Sequence, residues 1–195
     1  MTKSFSLPKK NDLFLVVLLM VSLSLNVYLG WKVKQSRRSS SERQTSVKLS
    51  PGMTAQPITA MNLSGKIETF NYADSGKPTV FYVFSPSCVW CERNNQNINA
   101  IARLKGESFR FVGLSLANDG LPGYAESHQI GFPIYQNVNS ESVEMLGLGT
   151  TPQTIVISPD GHVLKNWVGA FNGPIQPQVE EFFNLRLPGL VTAKK

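Results

Sequence analysis

The residues of this chain with the clearest chemical potential are its two cysteines, Cys88 and Cys91, in the segment FSPSCVWCERNN. Two thiols at this spacing could bind a metal ion, form a structural disulfide, attach a haem or act as a redox pair. The haem signature Cys-x-x-Cys-His is excluded, because Glu92 follows the second cysteine. A structural zinc ion needs about four ligands. The two histidines, His128 and His162, are distant in sequence and lack the spacing of metal ligands.

A working redox pair is favoured over a structural disulfide. A bridge that spans so few residues would constrain the unfolded chain little, and would therefore stabilise the fold little. The thiolate is the reactive species in disulfide exchange, and the positive end of a helix dipole lowers the pKa of a thiol. We therefore expect Cys88, at the start of a helix, to be the exposed attacking sulfur. Cys91, one turn later, is expected to be less exposed and to resolve a mixed disulfide.

The elements on either side of the cysteines predict their place in the fold. TVFYVF, residues 79–84, is an apolar run that starts from Thr79, as expected for a central strand buried on both faces. Residues 85–87, Ser-Pro-Ser, end that strand, and residues 88–104 are predicted to form a helix capped by Ser87. The buried stripe of this helix is expected at Ile98, Ile101 and Leu104.

The rest of the domain alternates further strands and helices. One hairpin is predicted over residues 58–72 around Ser64-Gly65, and another around Pro159-Asp160-Gly161. This order indicates an α/β fold, a mixed sheet with helices on both faces. A right-handed crossover would then place the cysteine turn between the carboxyl end of a strand and the amino end of a helix. The other predicted strands are 109–116, 132–136, 153–158 and 162–169, and the other predicted helices are 121–129, 140–146 and 176–186.

An apolar segment precedes the domain. Residues 13–31, LFLVVLLMVSLSLNVYLGW, carry no charge over nineteen positions, which is enough for a helix to cross the hydrocarbon core. Tyr28 and Trp31 occupy the place of an interfacial aromatic belt. A cleaved signal peptide would have a shorter apolar core and a small-residue cleavage site, and this stretch contains no alanine. The pattern therefore favours an uncleaved, single-pass transmembrane anchor.

Positive charge is concentrated in the N-terminal segment. Residues 1–52 carry nine Lys/Arg and two acids, whereas residues 53–195 carry ten Lys/Arg and eleven acids. A nearly neutral domain argues against a nucleic-acid partner. The flank after the apolar segment is more basic than the flank before it, which taken alone would keep the domain in the cytoplasm. Residues 32–52, polar and rich in serine, are predicted to form a flexible linker.

From these motifs the sequence resembles the thioredoxin-like superfamily, and within it the membrane-anchored, extracytoplasmic thiol-disulfide oxidoreductases of the TlpA/ResA type. The resemblance covers about residues 53–187. It rests on the strand-turn-helix unit that carries Cys88 and Cys91 and on a helix-strand insert at 121–136. It also rests on GLGTTPQTIVISPDGHVLKNWVGAF, residues 147–171, which is similar to the family's cis-proline loop and following hairpin.

The resemblance implies that Pro152 follows a cis peptide bond and packs beside the cysteines, where the Thr151 backbone can pair with an extended substrate segment. Trp90, between the cysteines, is interpreted as a docking surface for a partner rather than as a cover for the helix end. Two departures from the family pattern leave the proton acceptor of the resolving thiol open. Tyr82 stands in place of the buried acid of thioredoxins, and Asn94 in place of the glutamate that some anchored relatives carry.

Two other functions use the same fold and remain alternatives. Copper-delivery proteins of this fold carry Cys-x-x-x-Cys and a distal histidine, and their cysteine spacing is one residue longer than here. Peroxiredoxins carry P-x-x-x-[ST]-x-x-C before the peroxidatic cysteine. Ser85 fits that pattern, but Phe81 stands where its proline would be.

The sequence therefore predicts a thiol-disulfide oxidoreductase that exchanges its dithiol with protein disulfides, as a reductant, without a bound cofactor or metal. A further redox partner, which the sequence does not name, would restore the dithiol. By resemblance, the role is to keep extracytoplasmic cysteines reduced, as in cytochrome c maturation, with the domain on the periplasmic side of the cell membrane. The predicted organisation is an N-terminal tail (1–12), an anchor (13–31), a linker (32–52), a thioredoxin-like domain (53–187) and a C-terminal tail (188–195).

Overall fold

A computed structural model describes residues 18–29, 32 and 49–192 of the chain. The chain divides into two compact units, Met1–Ser46 and Val47–Lys195.

In the first unit, residues 18–29 are helical and exposed. Within the described part of the chain, no helix is both long enough and apolar enough to cross a membrane. Of the predicted anchor, 13–31, the structure describes residues 18–29, and the predicted linker, 32–52, lies largely outside the described residues.

Among the described residues 49–192, the second unit is built on a mixed sheet of seven strands. In chain order the strands are β1 (Ile58–Asn62), β2 (Ile67–Phe70), β3 (Thr79–Phe84), β4 (Arg110–Ser115), β5 (Ile134–Gln136), β6 (Gln153–Ile157) and β7 (Val163–Val168). Their order across the sheet is β2-β1-β5-β4-β3-β6-β7. β3 lies parallel to β4 and antiparallel to β6, as a mixed sheet requires.

The helices connect these strands as the sequence predicted. They are α1 (Val89–Lys105), α2 (Leu121–Ser127), α3 (Ser140–Met145) and α4 (Ile175–Phe183), with a 3₁₀ turn at Tyr72–Ser75. Each predicted strand and helix of the domain is present, with ends that differ by at most three residues.

Two core clusters cover the two faces of the sheet, which explains why β3 has no polar side. Phe81 and Val83 point into one cluster, which includes Leu146 and the partly buried side chains of α3. Val80, Tyr82 and Phe84 point into the other cluster, together with buried residues of α1, α2 and α4. Alternate side chains of a strand face opposite sides, so a strand between two packed layers must be apolar at every position. The prediction of helices on both faces is thus confirmed.

The ordered unit extends past both ends of the predicted domain, 53–187. Leu49 is buried, and its carbonyl oxygen accepts a hydrogen bond from the Asn166 side chain at 2.9 Å. Beyond residue 187, the Gly189 N–H donates to the buried Asn97 side chain at 2.9 Å. Parts of the predicted linker and of the predicted C-terminal tail therefore pack against the domain.

Two details of α1 differ from the prediction. The N-cap is Cys88 rather than Ser87, because the backbone at Cys88 is still extended (φ −87°, ψ 106°) and the helix begins one residue later than expected. Leu104, expected in the buried stripe, is 58% exposed, whereas Ile98 and Ile101 are fully buried as predicted. The buried stripe continues toward the amino end through two asparagines instead, Asn94 and Asn97.

Candidate active site

The sheet register brings the cysteine turn and the Thr151-Pro152 loop to the same edge. The last residues of β3 pair with the first residue of β6, Val83 opposite Gln153. The cysteine turn leaves the sheet just after β3, and Pro152 enters it just before β6, so the two loops emerge side by side. The Thr151–Pro152 peptide bond is cis, as the resemblance implied. The Pro152 carbonyl oxygen accepts from the Gly169 N–H at 2.8 Å, which ties the loop to the end of β7.

Cys88 and Cys91 form a disulfide across the first turn of α1, with their Cα atoms 5.2 Å apart. Cys88 is half-buried, whereas Cys91 is fully buried. The Cys88 sulfur accepts a hydrogen bond from the Cys91 N–H at 3.1 Å, and so lies at the positive end of the helix. A hydrogen bond to the charged form of an acid favours that form. The geometry therefore fits an outer sulfur that is stabilised as a thiolate and an inner sulfur that is shielded from solvent.

The two residues between the cysteines form an exposed apolar surface. Val89 is 57% exposed and Trp90 is 47% exposed. The Arg93 guanidinium lies over the Trp90 ring, with its Cζ atom 4.6 Å from the ring centroid. The exposure of Trp90 beside the outer sulfur is compatible with the predicted docking surface, which stays a prediction.

Behind the inner sulfur the protein places two buried polar side chains, Tyr82 and Asn94. The Tyr82 hydroxyl lies 3.5 Å from the Cys91 carbonyl oxygen. The Asn94 Oδ1 atom accepts from the Phe171 N–H at 3.0 Å and from the Asn97 side chain at 3.1 Å. The Asn94 Nδ2 atom is buried and makes no hydrogen bond within the described part of the chain.

No charged side chain is buried in residues 18–29 or 49–192, so the inner sulfur has no buried carboxylate beside it there. Burial raises the pKa of Tyr82 well above its ordinary value, and the nearby Tyr124 raises it further. Tyr82 therefore stays protonated at neutral pH and can donate a hydrogen bond but not accept a proton. In the same ranges, no group of three or more His, Cys, Asp or Glu side chains is arranged to hold a metal ion.

The structure thus gathers the predicted site residues at one edge of the sheet. Cys88, Trp90 and Cys91 belong to the start of α1, and Thr151 and Pro152 lie at the start of the neighbouring β6. Sequence reasoning named Tyr82 and Asn94 as departures from a pattern; it predicted the burial of Tyr82, within a strand buried on both faces, but not that of Asn94. It did not predict the Arg93–Trp90 contact either. The spacing of three residues between Trp90 and Arg93, which are neighbours on a helix surface, is the signal that could have indicated it.

No protein-family model matches the sequence. Among characterised proteins, the chain is similar to the thiol:disulfide interchange protein DsbE of Haemophilus influenzae. The two are 23% identical over 164 residues, which is 80% of this chain and 87% of that protein.

Solved structures share the fold of the domain at low sequence identity. One is the thioredoxin domain of a thiol-disulfide oxidoreductase from Bacteroides vulgatus, with a TM-score of 0.57 and 19% identity over 70% of this chain and 100% of that one. Another is StoA from Bacillus subtilis, with a TM-score of 0.53 and 16% identity over 68% of this chain and 98% of that one.

These similarities establish the thioredoxin-like fold of the second unit, a mixed sheet flanked by helices. The proteins that the chain resembles are thiol:disulfide oxidoreductases. This chain has the fold of those enzymes and a Cys-x-x-Cys pair at the amino end of a helix.

Proposed function

We propose that this chain is a membrane-anchored thiol-disulfide oxidoreductase that reduces disulfides of protein substrates through Cys88 and Cys91. The observation that carries the proposal is the asymmetry of the pair: the Cys88 sulfur is partly accessible and hydrogen-bonded at the helix start, and Cys91 is buried behind it. Exchange needs an outer sulfur that can meet the substrate and an inner one within reach of the outer.

The reaction consists of two exchanges. The Cys88 thiolate attacks one sulfur of the substrate disulfide, forms a bond to it and releases the other substrate sulfur as a thiolate, which takes up a proton. Cys91 then loses its proton and attacks the Cys88 sulfur, so that the second substrate thiol leaves. Two electrons have passed to the substrate, and the protein holds its own disulfide, the form seen in the structure. A second dithiol protein must then reduce that disulfide again.

The surroundings of Cys91 support an exchange without a buried carboxylate to take its proton. Tyr82 is held protonated by burial and Asn94 cannot ionise. The proton of Cys91 therefore passes to solvent or to the departing substrate thiolate. Trp90 and the Thr151 backbone are the proposed contacts for the substrate segment, because both lie beside the cysteines and Trp90 is exposed.

The reductant direction rests on the residues around the outer sulfur. A strong oxidant has an unusually stabilised reduced form, with a very low thiol pKa. Val89 and Trp90 supply neither a cation nor a histidine, and the nearest arginine, Arg93, lies over the Trp90 ring. We therefore expect a reduction potential near that of thioredoxin, roughly −270 mV, rather than near −120 mV. Equilibration of the purified chain against glutathione buffers measures it, and a value near −120 mV would contradict the proposal.

The anchor, residues 13–31, and an extracytoplasmic location of the domain complete the proposal. Support comes from the uncharged sequence and from Ser24 and Asn26, whose side chains donate to main-chain oxygens one turn earlier, at 2.8 Å each. Such bonds satisfy polar groups that have no water in a bilayer. Keeping extracytoplasmic cysteines reduced, as in cytochrome c maturation, would be the biological role. A fused reporter that is active only in the cytoplasm should give no signal, and a strong signal would overturn the topology.

A trapping experiment tests the roles of the two cysteines. Cys91→Ser should accumulate a mixed disulfide with a substrate through Cys88, because attack survives while resolution is lost. Cys88→Ser is the matched control and should trap nothing. The assignment is reversed if the adduct requires Cys91 and tolerates Cys88→Ser.

A further inference from the structure

The chain that follows α4 lies beside the first two turns of α1, and residues 187–192 are here called the strap. The Val191 N–H donates to the Arg93 carbonyl oxygen at 3.0 Å. In return, the Arg93 Nε–H donates to the Val191 carbonyl oxygen at 3.3 Å. This reciprocal pair fixes both the backbone and the side chain of Arg93 against the strap.

The strap is also held at its middle and at its start. The Gly189 N–H donates to Oδ1 of Asn97, a side chain that is fully buried in α1. At the start, the Leu187 N–H donates to the Glu180 carboxylate at 3.0 Å, and the Leu187 side chain packs against the core cluster beneath α1. These contacts set the strap at one register along the helix, and so set where Val191 meets Arg93.

The same arginine lies over the exposed ring between the two cysteines, with its Cζ atom 4.6 Å from the Trp90 centroid. A partly buried arginine and an exposed tryptophan each have several accessible rotamers, which they lose when a partner binds. Here the Val191 carbonyl oxygen already holds the guanidinium, and the guanidinium in turn favours one orientation of the indole. The unbroken series of contacts from strap to Arg93 to Trp90 ends beside the outer sulfur.

We propose that the strap is a positioning element for substrate docking: through Arg93 it holds Trp90 in the orientation that receives a protein substrate. The substrate class is an extended segment with an apolar side chain beside its disulfide, which can lie against Val89 and the indole. This inference rests on the proposed function and adds a residue, Arg93, and a segment, the strap, that act on substrate affinity and not on the sulfur chemistry. A disulfide too small to reach Trp90 should therefore not sense the strap.

The test compares two disulfides of different size in single-turnover reactions of the full, pre-reduced chain in detergent. Insulin is the protein disulfide, and 5,5′-dithiobis(2-nitrobenzoate) is the small one. A chain that ends at Leu187 should require about threefold to tenfold more insulin for half-maximal rate, since Arg93 loses the Val191 carbonyl that holds it over the ring, and the ordering of both side chains is lost. Its maximal rate, and its rate with the small disulfide, should stay within about twofold of the original values, because the sulfurs are untouched.

Matched variants separate positioning from folding. Val191→Pro removes one N–H of the strap and keeps the rest of the chain. It should shift the insulin dependence in the same direction as the truncation, and it serves as the test if the shortened chain fails to fold. Arg103→Ala, on an exposed part of the same helix, should change neither reaction. In a Trp90→Ala background, removal of the strap should cause no further change, because the strap acts through that ring.

The outcomes distinguish this inference from the function on which it rests. If the original chain reduces neither disulfide, the proposed function is wrong. If it reduces both, and strap removal leaves the insulin dependence unchanged or slows both disulfides equally, the strap does not position Trp90. A strap effect that persists in the Trp90→Ala chain would overturn the inference in the same way.

Discussion

Replacing Asn94 by alanine tests whether the buried amide behind the disulfide is a structural requirement. Asn94 is fully buried, and its Oδ1 atom is the acceptor for the Phe171 N–H at 3.0 Å. The same oxygen accepts from the Asn97 side chain at 3.1 Å. Alanine leaves both donors without this acceptor, in a core where water cannot replace it.

The expected cost follows from those two bonds. A buried donor left unsatisfied costs about 1–3 kcal/mol, and the Phe171 N–H belongs to this class because Phe171 is fully buried. The lost Asn97 bond adds roughly 1 kcal/mol. Removal of the Asn94 Nδ2 atom, which is buried without a partner within the described residues, returns part of this cost. We therefore expect the free energy of unfolding to fall by a net of about 1–3 kcal/mol.

Urea denaturation of the oxidised full chain, followed by circular dichroism, measures this change. The matched control is Asn95→Ala on the next position of α1. Asn95 donates to the His128 carbonyl oxygen at 2.7 Å, but Asn99 donates to the same oxygen at 3.0 Å, so the acceptor stays satisfied. The control should lose less than about 1 kcal/mol. If Asn94→Ala is no more destabilising than Asn95→Ala, the assigned role of the buried amide is refuted.

Four further substitutions test the packing and the electrostatics of the domain. Ile101→Ala should lower the free energy of unfolding by about 2–5 kcal/mol, because the side chain is fully buried. Leu104→Ala, at an exposed position of the same helix, should lower it by no more than about 0.5 kcal/mol. Equal losses of stability in a thermal melt would contradict the observed register of α1. Gly113→Ala should lower the free energy of unfolding measured in urea by about 1–3 kcal/mol, since the added Cβ would lie 3.2–3.3 Å from three core side chains. An unchanged unfolding midpoint would contradict this prediction, because these neighbours would then have moved without cost. Hydrogen bonds, led by that from the Leu187 N–H, hold the pKa of the Glu180 carboxyl below its usual value. The ionised carboxylate therefore stabilises the fold above its unfolded-state pKa, and this stabilisation is lost as the pH falls through the lowered folded-state pKa. Glu180→Gln should therefore be less stable than the original chain at pH 7 and equal to it in strong acid, and a deficit that persists in acid would refute an ionic cause.

Local sequence was sufficient to predict the elements that carry the cysteines. Five successive apolar residues after Thr79 predicted β3 as a strand buried on both faces, because a strand between two layers buries the side chains of both its sides. The Pro159-Asp160-Gly161 turn predicted the hairpin that became β6 and β7. The relative exposure of Cys88 and Cys91 was also predicted correctly, since it follows from their positions at the start of a helix that packs on a sheet.

The tertiary structure alone decided which polar groups are buried and what they contact. The sequence did not predict that Asn94 and Asn97 are buried, yet both are fully buried. Their partners are the Phe171 N–H and the Gly189 N–H, 77 and 92 residues along the chain. A side-chain amide can be buried without a large cost only where the fold supplies hydrogen-bond partners for it. A local sequence pattern carries no information about partners that lie so far along the chain. For the same reason, the sequence determined that a redox pair would begin a helix, whereas only the folded chain placed the strap against Arg93 and that arginine over Trp90.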